Sequence, residues 1–129
     1  MRNTGPSPFA VQLVLDRAGY SCEVCDHMVG DRRGVDWSIH HRRPRKMGGT
    51  RWPGINLPSN LIAVHGASNV AACHGRIHRN THRESVDNGW LITRNGINRD
   101  PLQIPVLIGS RRVYLTDDGL YAEAPAVVA

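Results

Sequence analysis

Three cysteines and seven histidines in a chain of 129 residues constrain this molecule more than any other feature, because they fall into groups instead of scattering. Cys22-x-x-Cys25 puts two thiols on one turn, and Cys73 lies far along the chain. Three cysteines cannot all pair within one chain, and in a reducing setting Cys-x-x-Cys reads as metal ligation before it reads as a disulfide. Redox use of the motif needs a thioredoxin-like strand and helix around it, which the flanking residues do not offer. Cys22, Cys25 and Cys73 can supply three thiolates to a tetrahedral zinc. His65 is the preferred fourth ligand, since it ends an apolar run just before the segment bearing Cys73; His27, close to Cys25, competes for the place. A metal staple suits so lean a chain. The length allows one domain, and a single Phe leaves the core to Val, Leu, Ile, Ala and three Trp.

The remaining histidines form two pairs. His40 and His41 are adjacent, and His74 and His78 are four apart on a predicted helix, where they share one face and can bind one ion. Zincin proteases use the same spacing but place Glu after the first His; Gly75 stands here, so a protease would lack its base. A solvated helix face would explain an isolated pair. The adjoining Cys73 and the second His pair favour ligation. Successive helix positions turn by about 100°, so Cys73 can serve the zinc while His74 and His78 serve another ion.

The order of elements predicts an α+β fold in a single domain spanning 1–129, with a core over about 20–80 and a β-rich C-terminal extension over about 90–121. Ser7 caps a helix that starts at Pro8 and stops at Gly19. Tyr20 to Asp26 is a tight cysteine-bearing turn. Gly34 to His41 alternates as a strand, Leu61–Val64 is a second strand, and Arg42 to Ser59 is a loop long enough to hint at function. A helix is expected over Ala67–Asn80 with Ser68 or Asn69 as cap, and a shorter one over Thr81–Asn88, ended by Gly89. Strands are expected at Trp90–Thr93, Val106–Ile108 and Val113–Leu115, with Gly109-Ser110 and Asp118-Gly119 as turns and a loose tail from Tyr121.

The formal charge is +5, the sequence pI is about 9.7, and all but one of the 16 cationic side chains are Arg. Arg grips phosphate through a planar fork, so this balance leans toward a polyanionic partner. No run of about 20 apolar residues exists to span a membrane. The first eight residues lack an apolar signal core, so an intracellular setting is expected.

Taken in order, His40-His41-Arg42-Arg43-Pro44-Arg45 with Gly48-Gly49 behind it, then Asn60-Leu61-Ile62, then His74-x-x-x-His78 resemble the HNH, or ββα-metal, nucleases. The pattern is similar to the His-His versions in colicin nuclease domains. It comes closer to the small phage-encoded HNH endonucleases, which carry Cys-x-x-Cys before the His pair and a Cys-His pair on the final helix. The resemblance covers roughly Cys22 to His78. It implies a metal-dependent endonuclease that hydrolyses DNA phosphodiesters and leaves 5′-phosphate and 3′-hydroxyl ends. It assigns His41 as general base, His40, His74 and His78 as ligands of the catalytic ion, and Asn60 as the residue that orients the metal loop. Asn56 lies in the same loop but lacks a following Leu-Ile run, so Asn60 is preferred. The same resemblance puts the structural Zn2+ on Cys22, Cys25, His65 and Cys73, with His65 a departure where relatives commonly carry Cys.

Chemistry agrees with these roles. A neutral imidazole suits proton abstraction from water near pH 7, and three His leave coordination positions open on a divalent ion. Zn2+, Ni2+, Mn2+ or Mg2+ could fill such a site, imidazole favouring the softer transition metals. On an ideal strand His40 and His41 face opposite ways, so both serve one phosphate only where the strand ends or twists. Arg42, Arg43, Arg45, Lys46, Arg51 and Arg76 are expected to contact DNA phosphates, with Trp52, Arg79, His82 and Arg83 as lesser candidates. The partners expected are DNA and, by the phage likeness, terminase or other packaging proteins, with the chain a monomer or weak dimer. A non-catalytic zinc module that only binds DNA is the alternative, but it leaves the two His pairs without a use.

Overall fold

The computed structural model describes residues 5–30, 32–44, 53–67, 71–79, 82–93 and 99–126. It is a small mixed α+β protein. Helix α1 (Pro8–Ala18) begins and ends where its caps dictate: the Ser7 hydroxyl accepts from the Ala10 amide at 3.1 Å, and Gly19 closes it at φ 63°. Its inner stripe, Ala10, Val11, Val14 and Leu15, is buried. The cysteine turn follows, and then strand β1 (Trp37–His41) pairs antiparallel with β2 (Leu61–His65) in a register that sets Trp37 opposite His65 and His41 opposite Leu61. Residues 34–36 form a turn, so β1 is shorter than the alternation suggests. Leu61, Ile62, Ala63 and Val64 are all fully buried, because α1 and α2 (Ala72–Arg79) both pack on β2. No helix of the described residues is long and apolar enough to cross a membrane.

Helix α2 starts at Ala72, five residues later than the sequence pattern suggests, and its expected cap at Ser68 or Asn69 lies outside the described residues. Gly66 explains part of the delay. It sits at φ 117°, and a Cβ there would lie 2.2 Å from the Ala71 carbonyl oxygen, so the chain turns sharply before the helix. A shorter helix, α3 (His82–Asp87), ends at Gly89, φ 74°, which packs so closely on Pro105 that no side chain fits.

The C-terminal part is a three-stranded meander, β3 (Val106–Ile108), β4 (Arg111–Leu115) and β5 (Tyr121–Ala122). Gly109-Ser110 forms its first hairpin as expected. Two expectations need correcting. Trp90–Thr93 is not a strand: the Trp90 and Leu91 amides turn back onto the Ser85 carbonyl and the Ile92 amide bonds singly to Arg42, so no ladder forms. The tail is also not loose at its start. Tyr121 pairs with Leu115 and its hydroxyl donates to Glu23 Oε2 at 2.5 Å.

Two buried cations tie these layers together. Arg17 forks onto Glu23 at 2.7 and 2.9 Å and also donates to the Pro58 and Leu61 carbonyls, while Glu23 Oε1 accepts from the Ala63 amide. Both partners are 1% exposed. Arg42 corrects the sequence reading outright: it is fully buried and cannot reach DNA phosphate. Its guanidinium donates to four carbonyls, those of Gly89 (2.8 Å), Ser59 (2.8 Å), Pro101 (3.1 Å) and Ile104 (2.7 Å).

Arg42→Ala strands these four acceptors, and each left unpaired in the interior costs about 1–3 kcal/mol. A loss of at least about 3 kcal/mol is expected in urea unfolding, and Arg42→Lys, which lacks the planar fork, is expected to lose most of it. An unchanged unfolding midpoint in Arg42→Ala would show that the guanidinium does not hold these segments.

Candidate functional site

The β1–β2 hairpin and α2 bring three imidazoles together. His40 comes from β1, and His74 and His78 come from successive turns of α2. Their ring centroids are 5.1 Å (40–74), 5.0 Å (40–78) and 5.2 Å (74–78) apart, and one donor atom from each lies within 4.8 Å of the others. His40 is almost wholly buried, His74 is buried and His78 exposed. Burial, reinforced by the neighbouring imidazoles, holds His40 well below the usual histidine range and lowers His74 to about 4. Burial lowers His78 as well. At neutral pH all three rings are therefore uncharged and carry free lone pairs, the form in which histidine binds a metal. Three neutral donors converging this closely are a fitting set for a divalent ion, and they are one fewer than the four that close a tetrahedral site.

His41, the last residue of β1, is half-buried, and its Nε2 lies 2.8 Å from Asn56 Oδ1. It is close enough to contribute to lowering both His40 and His74. Asn60 is wholly buried and spans the loop: Oδ1 accepts from the Arg43 amide at 2.8 Å, and Nδ2 donates to the Ile55 and Arg43 carbonyls at 2.9 and 3.3 Å. It thus ties the two limbs of the β1–β2 connection, while Asn56 is the residue that touches His41. No Leu-Ile run follows Asn56 as it follows Asn60; only the distance to His41 in the folded chain distinguishes it.

The second group joins the cysteine turn to the far end of the hairpin and the first turn of α2. Cys22, Cys25, His65 and Cys73 bring their donor atoms within 4.8 Å of one another, and Cys25 Sγ is 3.3 Å from His65 Nδ1. Tight local bonds shape the turn: the Cys22 amide donates to the His27 carbonyl and the Asp26 amide to the Cys22 carbonyl, both at 2.7 Å. His27 is not in the group; its ring lies beside that of His65, centroids 5.3 Å apart. Burial pushes the Cys22 thiol up against backbone hydrogen bonds that pull it back; burial pushes the Cys73 thiol up too, and crowding by Cys22 and Cys25 pushes it further. A cation relieves that crowding, and the Cys3His set can hold a metal such as zinc. Helix α2 therefore supplies adjacent residues, Cys73 and His74, to two different groups.

The expected DNA contacts fare unevenly. Arg76 donates both limbs of its guanidinium to Glu84, at 3.0 and 3.1 Å, and stacks 5.2 Å from the centre of the Trp90 ring, so its charge is already matched. Arg43 is half-buried with a contact to the Arg99 carbonyl. Arg83 is exposed, 3.8 Å from Asp87. Arg45, Lys46, Arg51 and Trp52 lie outside the described residues, as do the side chains of Arg79 and His82.

Set against protein-family models, curated proteins and solved structures, the chain matches none of them.

Metal analysis of the purified protein checks the Cys3His group. Cys22→Ser is expected to lose about one equivalent of zinc per chain and to unfold more easily, since a structural site contributes its binding free energy to folding. His74→Ala is expected to keep that zinc. Equal zinc content and stability in Cys22→Ser and the parent would remove the site from the structure's support.

Proposed function

We propose that this chain is a metal-dependent DNA endonuclease of the HNH type, in which a β-hairpin and helix form a ββα-metal core and the Cys3His group is a structural zinc. One observation carries the reading: His41, with Asn56 on its Nε2, follows His40 on β1 and acts electrostatically on His40 and His74, two of the three imidazoles that converge on one point. A base next to an open ligand set is what phosphodiester hydrolysis requires. A zinc module that only bound DNA would have no use for either.

In this reading, His40, His74 and His78 hold a divalent ion. When bound, that ion would relieve charge on the phosphoryl oxygens and on the departing 3′ oxygen. His41 is not one of the three, so ligation of the ion does not use its lone pair. The Asn56 carbonyl oxygen accepts from His41 Nε2–H, which puts the ring's lone pair on Nδ1, the atom that would take a proton from water. As that proton moves, the water oxygen bonds to phosphorus and the P–O3′ bond breaks. The 3′ oxygen leaves and is protonated from solvent, giving 5′-phosphate and 3′-hydroxyl ends. Asn60 ties Arg43, two residues after His41, to Ile55, next to Asn56, and so supports the His41–Asn56 contact. Arg43, Arg45, Lys46 and Arg51 remain the candidates for phosphate contact. Arg42, wholly buried, takes no part, and Arg76 acts only where Glu84 releases it.

Plasmid nicking across a panel of Mg2+, Mn2+, Ni2+ and Zn2+ tests the proposal. His41→Ala is expected to lose roughly 10²–10⁴-fold in rate with DNA binding and zinc content retained, and Asn56→Ala to lose a smaller factor. Wild-type protein that nicks DNA with none of these ions is not an endonuclease of this kind.

A further inference from the structure

We propose that Ser38 is a positioning residue which, together with the Trp90 main-chain carbonyl, presets the tautomers of two imidazoles of the three-His group, so that His40 offers Nδ1 and His74 offers Nε2 to a divalent ion. This rests on reading the group as a metal site, not on DNA cleavage. Hydrogen-bond accounting carries it. His40 Nε2 lies 2.6 Å from the Trp90 carbonyl oxygen. A carbonyl only accepts, so Nε2 bears the hydrogen and the lone pair is on Nδ1. Ser38 Oγ lies 2.7 Å from the Gly66 carbonyl oxygen and 2.7 Å from His74 Nδ1. The hydroxyl has one hydrogen, and Gly66 can only accept it. Ser38 therefore receives Nδ1–H from His74, whose lone pair is left on Nε2.

The geometry also says why these partners are dependable. Ser38 and His40 are two apart on β1 and so share a face of the strand. The Gly66 carbonyl belongs to the sharp turn that leads into α2, and the Gly66 amide is itself held by the Asp36 carbonyl at 3.1 Å. The chain Gly66–Ser38–His74 thus links the turn before α2, the strand and the helix. Trp90 is 2% exposed, with its indole N–H on the Leu107 carbonyl, so its backbone oxygen is equally fixed. The Nε2–H form is the ordinary one for histidine in water. His74 is held in the other form, and only while Ser38 accepts.

The test uses the full chain loaded with one equivalent of zinc, labelled with 15N in histidine. Long-range 1H–15N correlation at neutral pH, with no second ion added, should show His74 as Nδ1–H and His40 as Nε2–H. Calorimetric titration with Ni2+ should then show second-site affinity falling about 10–100-fold in Ser38→Ala, with Ser38→Thr, which keeps the hydroxyl, within about threefold of wild type. The His74 Nδ1–H signal should vanish in Ser38→Ala and persist in Ser38→Thr, and melting curves confirm that both are folded. Wild-type His74 in the Nε2–H form, equal Ni2+ affinity in Ser38→Ala, or no second-site Ni2+ binding would each overturn the proposal. If these results hold while plasmid DNA stays intact with every metal, the endonuclease reading fails and this one stands.

Discussion

The Arg42 guanidinium holds the molecule to one arrangement. It is a cation buried entirely and solvated by four main-chain carbonyls from segments far apart in sequence. Burial, with the charge of Arg17 nearby, lowers its pKa to about 9, which still leaves it charged at neutral pH. Its backbone is engaged as well: the amide donates to the Asn60 carbonyl, and its own carbonyl accepts from Ile92. The residue after His41 is thereby fixed to the start of β2, to the end of α3 and to the segment before the meander. The histidines at the end of β1 owe their fixed position to this anchoring, since a strand of five residues in a two-stranded sheet is marginal alone.

Local signals in the sequence reported local structure well. Ser7, Pro8 and Gly19 delimit α1 because capping is decided within a turn of the chain. The Cys and His spacings pointed to two groups because i, i+4 on a helix and x-x between cysteines are short-range geometry, and the structure brings those donors together. What stayed hidden was decided at long range. Arg42 heads a run of cations, and nothing in that run distinguishes the one that will be buried by four carbonyls. Trp90–Thr93 has strand-forming residues, yet the Ser85 carbonyl takes its amides first. Ser38 reads as an ordinary outward position on a half-buried strand, and the Trp90 carbonyl, like any backbone oxygen, has no signature at all.

Helix α2 has little intrinsic propensity behind it. It has eight residues, among them a Gly in the middle and two His, and Ile77 is its main apolar contact with the core. Such a segment is far too short to be helical in water unaided. It contributes Cys73 to one group and His74 and His78 to the other, and the Ser85 hydroxyl donates to its Ile77 carbonyl. The two groups are therefore mechanically coupled: displacement of α2 at the cysteine turn is displacement of the imidazoles.

The contact between Glu23 and Tyr121 spans 98 positions of the chain. A polypeptide emerging from the ribosome exposes every donor of both groups once residue 78 is out, yet the carboxylate between Cys22 and Val24 waits for its last hydrogen-bond donor until β5 follows. During that interval the cysteine turn is chemically complete and mechanically unfinished. Synthesis thus separates two events that the finished molecule presents as one: the emergence of the last donor of both groups, and the seating of Tyr121 on Glu23 by the strand that follows.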